Sequence, residues 1–296
     1  MKTFRKSFIK RKPLRKASAK AQSAMEYLMT YGWAILIIAV VLAALFQLGV
    51  FNPMTFAPKA PPGSCQVFRP NGPYTTSFIN LEGICSGELP QYVASFNGNG
   101  YVTLPKFSGS TEMTIVMWVY DLTPLGYGSG SLFTWGSPYN SNSSGIIIFE
   151  SGSYYGVITY NNQFYNYAIL KSPNKWVQVA LTVSNSNKFW ETYKNGMPTY
   201  YKNITGFEPA NLTDALIGNS FNGLIANVQI YNTSLSANEI QALYQEGIGG
   251  APIDLQHLVA WWPLNGNAND YSGNGNNGQI NNVNFVSNWY NGYTPP

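Results

Sequence analysis

Apolar residues run almost without a break over 27–51, interrupted only by Thr30, Gly32, Gln47 and Gly49, and the centre of the run, 33–46, is wholly apolar. Roughly 20 apolar residues cross the hydrocarbon of a bilayer, so the pattern predicts a membrane-spanning helix over 22–51. Prolines then punctuate the chain at Pro53, Pro58, Pro61 and Pro62, which predicts a stiff, extended neck over 52–90. Beyond residue 90 the period changes. Short aromatic and β-branched runs at 101–104, 114–120, 145–150, 155–160, 176–184 and 223–231 are separated by Gly, Asn and Ser turns. Runs at 188–193 and 197–201 flank Asn195-Gly196, the two-residue signal of a hairpin whose central positions both need positive φ. Many short strands at this spacing predict an antiparallel sandwich or jelly roll over 91–296. One helix breaks the β pattern: Ser236 and Glu239 form a capping box, Leu235 and Ile240 are placed to staple it, and Gly247 can end it.

Composition sharpens this picture. Only 10% of the 296 residues are charged and 15% are aromatic, which excludes coiled coils and acidic disordered chains. The formal net charge of +4 misleads, because nine of the 17 basic residues fall within the first twenty positions, where there is no acid. The remainder is net acidic, so the chain carries no basic surface for nucleic acid. A basic flank before the apolar run, with no Lys or Arg after it until Lys59, orients the body outside the cell.

Small and polar residues precede the apolar run instead of following it, at Lys20-Ala21-Gln22-Ser23-Ala24-Met25-Glu26-Tyr27. This resembles the class III signal peptide of archaeal type IV pilins, with Ala24 where that family usually has Ser. The resemblance implies a leader over 1–21, a prepilin peptidase cutting between Ala21 and Gln22, and retention of the helix for assembly with other pilin subunits. A carboxylate at the edge of an apolar helix is expensive to bury unpaired. The new α-ammonium at Gln22 would give Glu26 of a neighbouring subunit its partner; the plainer alternative seats Glu26 among headgroups.

Outside the membrane the two cysteines, Cys65 and Cys85, are the only ones, and an even pair in an exported segment implies a disulfide. Sequons at Asn142, Asn203, Asn211 and Asn232 are candidates for glycosylation. The body is similar to the laminin-G-like jelly roll of the concanavalin A-like superfamily. The matching segments are 96–104, 113–119, 175–180, 221–232 and 235–240. A segment that looks like the opening of such a domain, 258–275, stands near the C-terminus instead. About 40 residues cannot bury a core of their own. Residues 255–296 are therefore expected to complete the same sandwich; a second copy's stub or a strand donated to a neighbouring subunit are the alternatives.

Catalytic chemistry is not in evidence. Glu112, Asp121, Glu150, Glu191, Glu208 and Asp214 show no paired spacing for glycoside hydrolysis, and one histidine without a free thiol offers no nucleophile system. No glycine motif for phosphate precedes a helix. Laminin-G-like domains often bind calcium, and Asn267, Asn269, Asp270 and Asn274 supply oxygens in one turn, although Ala226 stands where the family commonly has Asp. The rival is an Asn-rich turn capped by Asp270. For an extracellular glycan or protein ligand, Tyr154, Tyr155, Tyr160, Phe164, Tyr165 and Tyr167 are candidate platforms, of which alternation puts about half in the core. Trp118, Trp176, Trp261 and Trp262 are assigned to the core. The sequence thus reads as a non-enzymatic, single-pass surface protein, either a pilin-like filament subunit with an adhesive head or a monomeric membrane-anchored lectin or receptor.

Overall fold

The computed structural model describes residues 15–47, 59–60, 67–68, 78–79, 89–107, 110–136, 145–159, 163–204 and 215–296. The chain divides into two units, Met1–Ala57 and Pro58–Pro296.

The first unit carries α1 (Arg15–Gln47), which starts inside the basic leader and continues through Gln22 without a break. Its described large apolar side chains, from Tyr27 and Met29 through Trp33 to Leu42, are exposed on all sides. Among the described residues no helix is long and apolar enough to cross a membrane. On α1 the described side chains are Tyr27 and 29–45, so the span expected over 22–51 runs partly outside the described residues. The side chain of Glu26 and residues 48–51 lie outside the described residues.

In the second unit four two-residue strands come first, β1 (Lys59–Ala60), β2 (Val67–Phe68), β3 (Phe78–Ile79) and β4 (Leu89–Pro90). β1 pairs parallel with β4 and β2 antiparallel with β3. Cys65 and Cys85, and hence the disulfide expected between them, lie outside the described residues. The body opens with β5 (Val93–Asn97), β6 (Tyr101–Leu104), β7 (Glu112–Asp121), β8 (Ser131–Gly136), β9 (Gly145–Ser151), β10 (Tyr154–Thr159) and β11 (Gln163–Leu170). It continues through β12 (Trp176–Ser184), β13 (Phe189–Lys194), β14 (Met197–Asn203), β15 (Ala215–Ile217), β16 (Asn222–Tyr231) and α2 (Ala237–Gln245). It ends with β17 (Leu258–Trp262), β18 (Gln279–Asn281) and β19 (Asn284–Val286).

These strands form two sheets. One is ordered β11-β10-β9-β8-β15-β6-β18; the other is ordered β14-β13-β12-β7-β16-β5-β19, with β17 beside β16. The C-terminal segment enters both, β17 and β19 extending one sheet and β18 the edge of the other. Inward residues such as Phe96, Ile115, Met117, Phe133, Trp135, Ile148, Val179, Ile225 and Trp262 form the core between the sheets. β12 is buried along its whole length, because its second face is covered too. There Ala180, Val116, Leu235, Ile240, Leu243 and Trp261 form a second cluster under α2.

The local signals act as their chemistry requires. Ser236 and Glu239 make both bonds of the capping box. Asn195 and Gly196 take φ of 51° and 75° and join Lys194 to Met197. That turn sits against α2, where a Cβ at Gly196 would meet the Cα of Gln241 at 3.1 Å.

Candidate functional site

β7 begins where β16 ends, because the two strands are antiparallel with Tyr231 opposite Thr114, and Tyr231 also faces Leu258 at the start of β17. At this end of the sheet lies a cleft of about 510 Å³ lined by Ser110, Asn232, Gln256, Leu258, Val259, Asn274 and Asn276. That volume lies within the usual range of small-ligand sites. Five of the seven residues carry a hydroxyl or carboxamide, two are aliphatic, and none is ionisable.

The wall bearing Asn274 and Asn276 is held by a network of hydrogen bonds. The Asp270 Oδ1 accepts from the backbone N–H groups of Trp261 and Ser272, each at 2.9 Å. Its Oδ2 accepts from Ser272 Oγ at 2.9 Å and the Asn276 N–H at 2.8 Å. Asn274 donates its Nδ2 to the carbonyls of Leu258 and Val259, and Asn276 donates to Val259. Each side-chain Oδ1 of this pair accepts nothing from a described residue, so a ligand's hydroxyls can donate to it.

The same bonds decide the fit to calcium. Both Asp270 oxygens are filled by donors, and Asn267 Oδ1 accepts from the Asn269 N–H at 3.0 Å while its Nδ2 donates to Tyr271 at 2.8 Å. Among the described residues no three of His, Cys, Asp and Glu are grouped to hold a metal ion. Donors thus already occupy both Asp270 oxygens and the Asn267 Oδ1, which brace a turn, and of the three residues proposed for calcium only Asn274 keeps its side-chain oxygen open, a poor fit to that ion.

A second constellation was not visible in the sequence. Asp121, at the end of β7, and Glu150, near the end of β9, each lie 2.8 Å from Lys171 Nζ. All three are buried. Lys171 also donates to the Tyr127 carbonyl at 3.2 Å, and the Tyr155 hydroxyl donates to Asp121 Oδ2 at 3.1 Å. The two acids expected to be isolated are thus brought together. Both face the ammonium and neither faces an open cleft, so they do not form a glycosidase pair.

One ammonium cannot neutralise two carboxylates. Burial first, and the neighbouring Asp121 second, push the Glu150 carboxyl from 4.5 up to about 7 against the opposing pull of Lys171. Because the folded value exceeds the unfolded one, the native state holds the proton more tightly. The stability this contributes is complete below about pH 4.5 and is lost as pH rises through about 7. The wild-type chain is expected to lose more stability between pH 5 and pH 8 than Glu150→Gln, measured by urea unfolding; identical pH slopes would refute the assignment.

Of the six candidate platform residues, the structure describes the side chains of Tyr154 and Tyr155 alone. Tyr155 is fully buried and its phenol is pushed well above the usual range, by burial first and then by Asp121. Tyr154 is half-buried. Tyr160 and the side chains of Phe164, Tyr165 and Tyr167 lie outside the described residues. Trp118, Trp176, Trp261 and Trp262 are all core. Sequence reasoning had singled out Asn274 and Asn232 for other roles and missed Ser110, Gln256 and Asn276. The dense Asn run after β17 was the available signal, and it was read for a metal.

No curated protein matches the chain. Among solved structures it is similar to a candidate carbohydrate-binding protein from Bacteroides ovatus, at 17% identity and TM-score 0.53, covering 68% of this chain and 61% of that one. The chain thus spans about three-fifths of that structure's length. A heptameric SAP-like pentraxin from Limulus polyphemus aligns at 13% identity and TM-score 0.48 over 68% of this chain and 97% of its own. The CBM40 of Ruminococcus gnavus IT-sialidase, bound to α2,3-sialyllactose, aligns at 17% and 0.41 over 52% and 96%. At these identities the likeness concerns fold. Residues 96–241 match the laminin G family model described as the concanavalin A-like lectin/glucanases superfamily, and the body of the chain is a two-sheet jelly roll of that lectin-like kind.

Proposed function

We propose that the protein is a non-enzymatic surface protein whose jelly-roll head binds a neutral glycan in the cleft at the β16–β17 end, and whose α1 is a membrane anchor of the pilin type. The observation that carries the binding assignment is the cleft's lining of five hydroxyl and carboxamide side chains without an ionisable group among the described residues. Sugar hydroxyls pair with such groups as both donor and acceptor. A carboxylated sugar would be desolvated there without a counter-charge, which is costly. The aliphatic Leu258 and Val259 offer contact to the apolar face of a sugar ring. Support for the anchor is the all-round exposure of apolar side chains from Tyr27 to Leu42, a pattern that fits burial in lipid or in a bundle of like helices. Cleavage at Ala21–Gln22 by a prepilin peptidase would leave this helix on the exported protein, with other pilin subunits as partners.

The test uses the full chain, made without N-glycans, against neutral gluco-, manno- and galacto-oligosaccharides, with sialyllactose as the charged comparator. Binding of a neutral sugar without sialyllactose is expected, and Gln256→Ala is expected to weaken it about three- to tenfold, the worth of one hydrogen bond. Binding that survives unchanged in Gln256→Ala and in Asn276→Ala would overturn the cleft assignment. A gel shift on co-expression with a prepilin peptidase, abolished by altering Gln22, separates a pilin-like subunit from a simple anchored lectin.

A further inference from the structure

Of the four sequons, Asn142 and Asn211 lie outside the described residues. Asn203 closes β14 and accepts a hydrogen bond from the Tyr201 hydroxyl at 3.2 Å. Asn232 is placed differently. It stands in the bend after β16, ahead of the helix α2. Its N–H donates to the His257 carbonyl at 2.9 Å and its carbonyl accepts from Ser110 Oγ at 3.3 Å. The backbone is therefore fixed, while the carboxamide is exposed and bonds to no described residue. Asn232 is also one of the residues lining the cleft, together with Gln256, Asn274 and Asn276.

We infer that Asn232 carries an N-linked glycan whose first sugars lie in the cleft, so that glycosylation of the chain and capture of an external glycan are mutually exclusive. The inference rests on the reading of the cleft as a carbohydrate site and names a second source for the carbohydrate, the chain itself. Modification joins Asn232 Nδ2 to the anomeric carbon of a lipid-phosphate-linked oligosaccharide. The C–O bond to the phosphate breaks, the phosphate leaves with the electron pair, and the amide gives up one proton. An attached glycan starts at the cleft's edge at an effective concentration on the order of millimolar, which disfavours a dilute dissolved sugar. Ser110 and His257 hold the backbone of Asn232, and the sugars have the free Oδ1 atoms of Asn274 and Asn276 within the same walls.

The experiment compares the exported full chain with Ser234→Ala, which removes the sequon and leaves the Asn232 side chain in the cleft, and with Asn232→Gln as a second sequon-free form. Glycopeptide mass spectrometry is expected to find sugar on Asn232 in the wild-type chain alone. The glycosylated chain is expected to bind none of the neutral oligosaccharides above, and Ser234→Ala to bind at least one. An unmodified Asn232 in the exported chain, or equal binding by glycosylated and Ser234→Ala chains, overturns the inference while leaving the cleft assignment standing. Failure of every form to bind, with sugar present on Asn232, removes the cleft assignment and the inference with it.

Discussion

A chain ending at His257 is expected to have no cooperative unfolding transition, although it keeps all of residues 96–241. The missing segment supplies β17, β18 and β19, and with them the neighbours of β16, β6 and β5. It also removes Trp261, Trp262, Ala260 and Leu264, each fully buried. The Trp289 indole would no longer donate to the Pro90 carbonyl, nor Trp176 to Trp289, bonds of 3.0 and 2.9 Å between buried groups. Losing one buried tryptophan side chain costs about 3–5 kcal/mol, and a whole domain is stable by only about 5–15 kcal/mol. Deleting three tryptophans and three strands therefore exceeds what the body holds. Trp262→Ala is the graded version: the chain should fold, with unfolding free energy lowered by about 3–5 kcal/mol in a urea titration. A truncated chain that unfolds cooperatively with a wild-type denaturant slope would refute the account, and residues 258–296 would then be an accessory to the jelly roll.

What the sequence shows plainly is local. The strand at 176–184 and the one at 101–104 are read within their bounds, because alternation and β-branching are properties of neighbouring residues. Asn195-Gly196 and the Ser236–Glu239 box announce their turn and their cap for the same reason. Tyr154–Thr159 was legible as a strand, but which tyrosine faces the core was not. Tyr155 turns inward to Asp121 while Tyr154 is half-buried, a choice set by the partner strand's register. The cleft was harder still. Ser110, Asn232, Gln256 and Asn276 belong to four separate stretches of chain, and only the pairing of β16 with both β7 and β17 brings them to one sheet end. Asp270 shows the converse: its residue type and its turn fit a calcium ligand, and only the four donors around its carboxylate reveal a brace.

Lys171→Met is expected to destabilise the chain by about 3–5 kcal/mol, the cost of leaving a buried charge without its partner. Lys171 is wholly buried and bonds at 2.8 Å to both Asp121 and Glu150. A methionine fills its volume, so the loss would be electrostatic and not a cavity. Without the ammonium the two carboxylates face each other across a dry site, and the favourable way out is protonation. The raised value at Glu150, about 7 with Lys171 in place, should rise further once that opposing charge is gone. A carboxyl whose folded value lies above its unfolded value stabilises at low pH and ceases to do so as pH climbs through the folded value. The deficit of Lys171→Met should therefore be small at pH 5 and full at pH 8, in parallel urea titrations. Adding Asp121→Asn and Glu150→Gln to Lys171→Met should restore most of the lost stability, since amides need no counter-charge and replacing a whole buried ionic group is often close to neutral. A deficit that ignores pH and survives the triple substitution would mean that Lys171 matters for its shape alone.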